Sequence, residues 1–212
     1  WLHVRGFDSF DEKNERQYPS FAAVRDDMYE ETIRFFEDLF RRDGSVLEIL
    51  DADHTFLNET LAAHYGIEGI TGDEWRRVDE MKQKSRGGVL GMATVLAKQS
   101  GATRTSPVLR GNWIVETLLG EKLPDPPATV PELPDALSRE GLTVRQMTER
   151  HVSEESCSNC HVRIDPFGFA LESFDAIGRY RTEDLIGRPV DTLAQLRDGT
   201  RFTGILAGLL DG

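Results

Sequence analysis

The sequence predicts a mostly α-helical protein with a short β-hairpin in its C-terminal tail. Three observations carry that prediction. Apolar residues between Phe21 and Phe40 recur at spacings of three and four, the period of one helix face. Helix starts are marked by capping residues at Ser20, Ser45, Ser106 and Thr143. Near the end, Asp198-Gly199 separates two short runs, 193–196 and 201–203, in the manner of a tight hairpin.

Taken in order, the first nineteen residues are mixed and charged without a clear period. Ser20 then opens a long amphipathic helix that buries Phe21, Val24, Met28, Thr32, Phe35, Phe36, Leu39 and Phe40 and stops at Gly44. Ser45-Val46-Leu47-Glu48 has the form of a capping box before a short helix. Asp51 to His54 is expected as a turn, and Phe56, Leu57, Leu61, Ala62 and Tyr65 as the next helix, ended by Gly66. A glycine-marked loop and a polar stretch around Trp75 lead to a helix of small residues, Val89 to Leu96. Ser106 with Pro107 at the first helical position starts a further helix that runs to Gly120. Leu123 to Pro134 holds five of the nine prolines and is expected as a stiff, extended strap. Thr143-Val144-Arg145-Gln146 is a second capping box, and its helix carries Val144, Met147 and His151 on one face. The hairpin follows, with a small Gly/Leu helix expected after it.

A net charge of −12 argues against nucleic acid and anionic membrane surfaces as partners and suits a basic protein partner. No apolar run approaches the length of a membrane span.

Both cysteines of the chain stand in Cys157-Ser158-Asn159-Cys160-His161. C-x-x-C-H is the attachment signature of a c-type haem. Two thiols a turn apart add across the vinyl groups of one haem edge, and the adjacent histidine places an imidazole beneath the iron. A zinc site would need a second ligand pair at similar spacing, and none is visible. A redox dithiol has no need of the trailing histidine. The expectation is therefore one covalent haem c on Cys157 and Cys160, with His161 as proximal ligand. Since such haem is attached outside the cytoplasm, a periplasmic or otherwise extracytoplasmic location follows. The chain, which opens at Trp1, is then expected to be part of a longer exported one.

Around the motif, the Pro166 carbonyl is expected to accept from the proximal imidazole and orient it. Phe167 and Phe169, with Leu171 and Phe174, are expected as an apolar wall, and Arg179 and Arg181 as partners for haem propionates. Arg104 and Arg110 are further anion candidates. For the second axial position His151 leads, on the apolar-face argument, with Met147 and Met92 next and His54 and His64 behind.

Several longer stretches carry a resemblance. Phe56-Leu57-Asn58-Glu59 with His64-Tyr65-Gly66 is similar to one planctomycete-type domain of unknown function. Arg86-Gly87-Gly88-Val89-Leu90, Thr105-Ser106-Pro107 with Arg110-Gly111, and the C-x-x-C-H motif with Asp165-Pro166 and Gly168 to Glu172 resemble the next. The tail from Pro189 to Gly199 resembles a third. The resemblance implies a cytochrome c-associated set of domains in large exported proteins, with a separate cytochrome c domain upstream as redox partner. The division expected is 1–85, a haem c domain at 86–182 that includes the strap 123–134, and a C-terminal segment at 183–212. The function expected is electron transfer through one haem c. Its alternatives are a peroxidase-like or oxygenase-like haem enzyme with an open distal position, and a structural zinc interaction module.

Overall fold

The computed structural model describes residues 2–124, 141–152 and 155–204, and of His151, Glu155 and Ser156 the backbone only. The described residues are mostly helical, with a small antiparallel strand pair near the C-terminus, both as expected, and with a second such pair that was not. The chain divides into two compact units, Trp1–Lys98 with Ile177–Tyr180, and Gln99–Ala176 with Arg181–Gly212.

In the first unit, α1 (Phe21–Arg41) buries Phe21, Val24, Met28, Thr32, Phe35 and Leu39, so the three-and-four pattern packs as read. The stripe is narrower than expected, for Phe40 is 74% exposed. Ser20 makes no side-chain cap; the Phe21 N–H donates to the Tyr18 carbonyl instead. Only half of the Ser45 box forms before α2 (Glu48–Asp51). The Glu48 carboxylate accepts from the Ser45 N–H at 3.2 Å, while Ser45 Oγ accepts from the Leu47 N–H.

The next segment departs from expectation. His54–Leu57 is a strand, β1, so Phe56 and Leu57 do not begin a helix, and β1 pairs antiparallel with β2 (Arg76–Asp79), His54 opposite Asp79 and Leu57 opposite Arg76. Helix α3 (Glu59–Tyr65) starts only at the Asn58 cap, whose side chain accepts from the Leu61 N–H at 2.9 Å. The small-residue segment likewise begins as a 3-10 turn, Val89–Gly91, before α4 (Ala93–Lys98).

A polar knot sits inside this unit. The Glu31 carboxylate on α1 accepts from Thr55 Oγ1 at 2.6 Å and from the Tyr65 hydroxyl at 2.5 Å, and Tyr65 in turn accepts from the Ala93 N–H. The buried Arg86 guanidinium lies 3.6 Å from the Tyr65 ring centre and donates to the Gly91 and Gly178 carbonyls. Burial is the largest influence on Glu31 and pushes its carboxyl up to about 7; the two hydroxyls and the Arg86 charge pull the other way.

The consequence for stability has a definite sign. A carboxyl raised in the folded state keeps its proton there while the unfolded chain, at about 4.5, loses it. Stability from Glu31 is thus complete below about pH 4.5 and declines as pH rises through about 7. The total loss is about 3 kcal/mol at roughly 1.4 kcal/mol per unit. Glu31→Gln, compared with the parent by urea unfolding at pH 4 and pH 8, is expected to remove that slope. A parent–variant difference that is flat across this range would disprove the assignment.

In the second unit, Ser106 caps α5 (Pro107–Trp113) by accepting from the Leu109 N–H at 3.2 Å, with Pro107 in the first turn as read. The helix does not continue as α to Gly120. It widens into a π-helical turn, Ile114–Leu118. Helix α6 (Val144–His151) carries the full capping box, Gln146 N–H to Thr143 Oγ1 and Thr143 N–H to Gln146 Oε1. Helix α7 (Glu155–Ala170) follows, and strands β3 (Leu193–Gln195) and β4 (Arg201–Thr203) form the expected hairpin. Of the proline strap only Leu123 and Pro124 are described; the rest, and the helix expected after the hairpin, lie outside the described residues.

Helices α5 and α7 meet antiparallel at two glycines. A Cβ on Gly111 would overlap the Ile164 carbonyl oxygen, and one on Gly168 would overlap that of Pro107. Arg110, between them, is 1% exposed; its guanidinium donates to the carbonyls of Leu171 and Phe174 at 2.8 Å and of Asp175 at 2.7 Å. Beside it, Glu172 accepts from Thr105 Oγ1 at 2.8 Å and pairs with Arg181 at 3.0 Å. The turn after α7 is therefore locked to α5 by charge-assisted bonds made to backbone.

Candidate functional site

The C-x-x-C-H motif lies within α7, near its N-terminal end. Helical spacing of three and four sets Cys157, Cys160 and His161 on one stripe, in line with Ile164 and Gly168. That stripe is the one that faces α5. Pairing Gly168 with Pro107 and Ile164 with Gly111 fixes an antiparallel register. Helix α7 also contacts the π turn Ile114–Leu118, in which Val115 is buried and Leu118 half-buried. π turns inside α-helices recur at functional sites, where the extra residue re-aims side chains.

Cys157 and Cys160 are half-buried thiols not joined in a disulfide. The His161 side chain is 11% exposed, and its Nδ1 lies 3.0 Å from both Oδ1 and Oδ2 of Asp165, itself 10% exposed. With Nδ1 turned to a carboxylate, Nε2 is the nitrogen presented for a metal. The orienting group is thus Asp165 and not the Pro166 carbonyl. Pro166 is an interior residue of α7, and the i to i+4 geometry that brings Asp165 onto His161 is that of the helix running through it.

Two further contacts frame the motif. Arg197, in the turn between β3 and β4, donates to the Asn159 carbonyl at 2.9 Å, between the two cysteines in sequence. Arg163 pairs with Glu121, just beyond the π turn. Sequence reading missed Arg197 altogether, because nothing along the chain links a hairpin turn to a helix 38 positions earlier.

The expected apolar wall is divided. Phe167 packs near Phe202 of β4, ring centres 6.4 Å apart, whereas Phe169 lies under the Arg145 guanidinium of α6 at 3.9 Å. Two residues apart on a helix, the rings take different faces. Arg110 is turned inward, to backbone carbonyls of its own unit and to Glu172 at 3.7 Å. Arg104 is buried and donates to the Thr105 carbonyl at 3.0 Å. Arg181 is committed to Glu172. Arg179 belongs to the first unit, 6.0 Å from the Tyr18 ring.

Of the axial candidates, Met147 is buried on α6 with Val144. The His151 side chain lies outside the described residues. His54, His64 and Met92 belong to the first unit. There His54 is buried against Phe35, His64 Nε2 lies 2.8 Å from the Ile177 carbonyl, and Met92 Sδ takes the Thr32 hydroxyl at 3.7 Å. Burial, and then the Arg77 and Arg42 charges, depress the His54 imidazole.

The residues present fit a covalent haem. Two thiols one turn apart share a face with an imidazole whose far nitrogen is already held, the donor set such a group needs. Among the described residues no three His, Cys, Asp or Glu side chains converge on one point. A cleft of about 280 Å³ occurs in the first unit between Phe10, Lys13, Tyr18, Phe21 and Arg25, and no motif residue lines it.

Two family models match the chain. Residues 86–184 match PSCyt3, described as "Protein of unknown function (DUF1588)", and residues 1–67 match PSD4, described as "Protein of unknown function (DUF1592)". These stretches coincide with the first two domains resembled on sequence, and both names are associated with planctomycete cytochrome-type domains. No curated protein and no solved structure matches the chain.

Proposed function

We propose that this chain is a c-type cytochrome module: it holds one haem c through Cys157 and Cys160, with His161 as proximal ligand, and passes electrons to or from a separate redox domain or protein outside the cytoplasm. The observation that carries this reading is the shared stripe of the three side chains on α7, with the His161 Nδ1 held 3.0 Å from the Asp165 carboxylate. When bound, the haem supplies one-electron redox chemistry.

The protein's own residues have separable tasks. The thiols anchor, His161 ligates, and Asp165 holds the imidazole ring. The acidic net charge of −12 favours a basic electron-transfer partner. Among the described residues no helix is long and apolar enough to cross a membrane.

Expression with export and haem-maturation machinery tests the reading directly. The purified chain is expected to give an alkaline pyridine spectrum of the c type with one haem per polypeptide. Cys157→Ala with Cys160→Ala is expected to carry no covalent haem. A full complement in that double variant, or none in the parent, would sink the proposal. Carbon monoxide added to the reduced parent then reports whether the sixth position is open, which separates an enzyme from a carrier.

A further inference from the structure

Other ionic groups around α7 in the second unit have structural duties. Arg110, Glu172 and Arg181 tie the turn after α7 to α5, and Arg163 is paired with Glu121. Asp165 is different. It is nearly buried, at 10% side-chain exposure, and among the described residues its only polar partner is the His161 ring. Among those residues no cation neutralises it and no backbone N–H bonds it. A carboxylate removed from water toward a single imidazole N–H is costly to keep unless that contact has a use.

We propose that Asp165 is the positioning residue for His161, and that through the imidazole it biases the haem iron toward its ferric state. This rests on the haem c reading above. The physical basis is general. A ligating histidine whose other N–H donates to a carboxylate is held in one tautomer and one ring orientation, and it becomes a stronger base than one donating to a neutral carbonyl. The bond is charge-assisted and has little water to compete with it. A stronger donor to iron stabilises the higher oxidation state, which lowers the reduction potential. The placement is built by the helix, because Asp165 follows His161 by four residues and Gly168 clamps the same turn against Pro107. The spacing of His161 and Asp165 is therefore set by the helix itself. A low-potential haem is matched to donating electrons to a partner of higher potential.

The test compares Asp165→Asn, Asp165→Glu and the parent in the matured, exported protein, with haem content measured by pyridine spectrum and midpoint potential by spectroelectrochemical titration. Asp165→Asn keeps the shape but accepts a neutral, weaker bond. It is expected to load haem and to shift the ferric-to-ferrous ratio at a fixed potential at least tenfold toward ferrous, about 59 mV upward for a one-electron couple. Asp165→Glu retains the charge and is expected to stay within threefold of the parent. Glu121→Gln, which removes a nearby charge without touching His161, controls for the general loss of negative charge and is expected to leave the midpoint in place.

Equal midpoints for the parent and Asp165→Asn, both loaded with haem, would overturn this proposal and leave the haem reading intact. Absence of covalent haem from the parent would overturn the haem reading itself. Should Asp165→Asn fail to mature, Asp165→Glu decides: a midpoint displaced by tenfold or more despite its carboxylate overturns the proposal.

Discussion

Arg110→Met is expected to destabilise the second unit by about 4 kcal/mol, the range for breaking a buried charged network by removing one partner. Methionine matches much of the volume and none of the chemistry. Three backbone carbonyls, of Leu171, Phe174 and Asp175, lose the guanidinium bond, although that of Leu171 keeps the Phe174 N–H. Glu172, 3.7 Å away, keeps Arg181 and Thr105 but loses the second positive charge near it. Each charge-assisted bond lost costs about 1.5–3 kcal/mol in isolation, and relaxation of the turn recovers part of the sum. Arg110→Lys is expected to recover little, since an ammonium cannot fork across acceptors on two sides. Urea unfolding followed by the fluorescence of buried Trp113 measures the effect. A loss below about 1 kcal/mol for Arg110→Met would show that the carbonyl lock is not what holds the turn.

Gly168→Ala ranks second. Both contact points of α5 and α7 are backbone against backbone, so neither side can yield by changing a rotamer. The added methyl must push the helices apart along the whole α5–α7 contact. Helix propensity alone would favour alanine by about 1 kcal/mol. Overpacking opposes it by more, so the expected net is a destabilisation of about 2 kcal/mol. Gly111→Ala should act alike, and the pair should cost less than the sum, because one separation relieves both overlaps. Helical circular dichroism is expected to persist while the unfolding midpoint falls. Strict additivity of the two substitutions would mean that they do not report one shared contact.

How much of this was legible in advance depends on what kind of information each feature uses. Periodicity and capping are local, and they placed α1, the starts of α5 and α6, and the hairpin. Strand β2 is Arg76-Arg77-Val78-Asp79 and largely exposed, so it shows no apolar alternation. Its partner β1 carries Phe56 and Leu57 directly before a helical run, and the two merged into one apparent period. That a helix runs through Asp165-Pro166 is not legible in the sequence, because proline usually ends one. Here α7 runs through it, and that brings Asp165 onto His161. Arg110 looked like a surface anion receptor since residue type says nothing of burial, and its acceptors lie more than sixty positions away. The motif itself was plain, whereas its setting needed three dimensions.

Pro166 has one more consequence. Lacking an N–H, it leaves the Val162 carbonyl without the bond that would close that turn of α7. One rung of the ladder is missing at the boundary between two mechanically different halves. Beyond it, the glycine clamp and the Arg110 lock make a stiff root. Before it, the turns bearing Cys157, Cys160 and His161 form a jointed tip, steadied by the Arg163 and Arg197 side chains. A change of tilt in the tip, such as the proposed haem would ask for, need not be transmitted into the root.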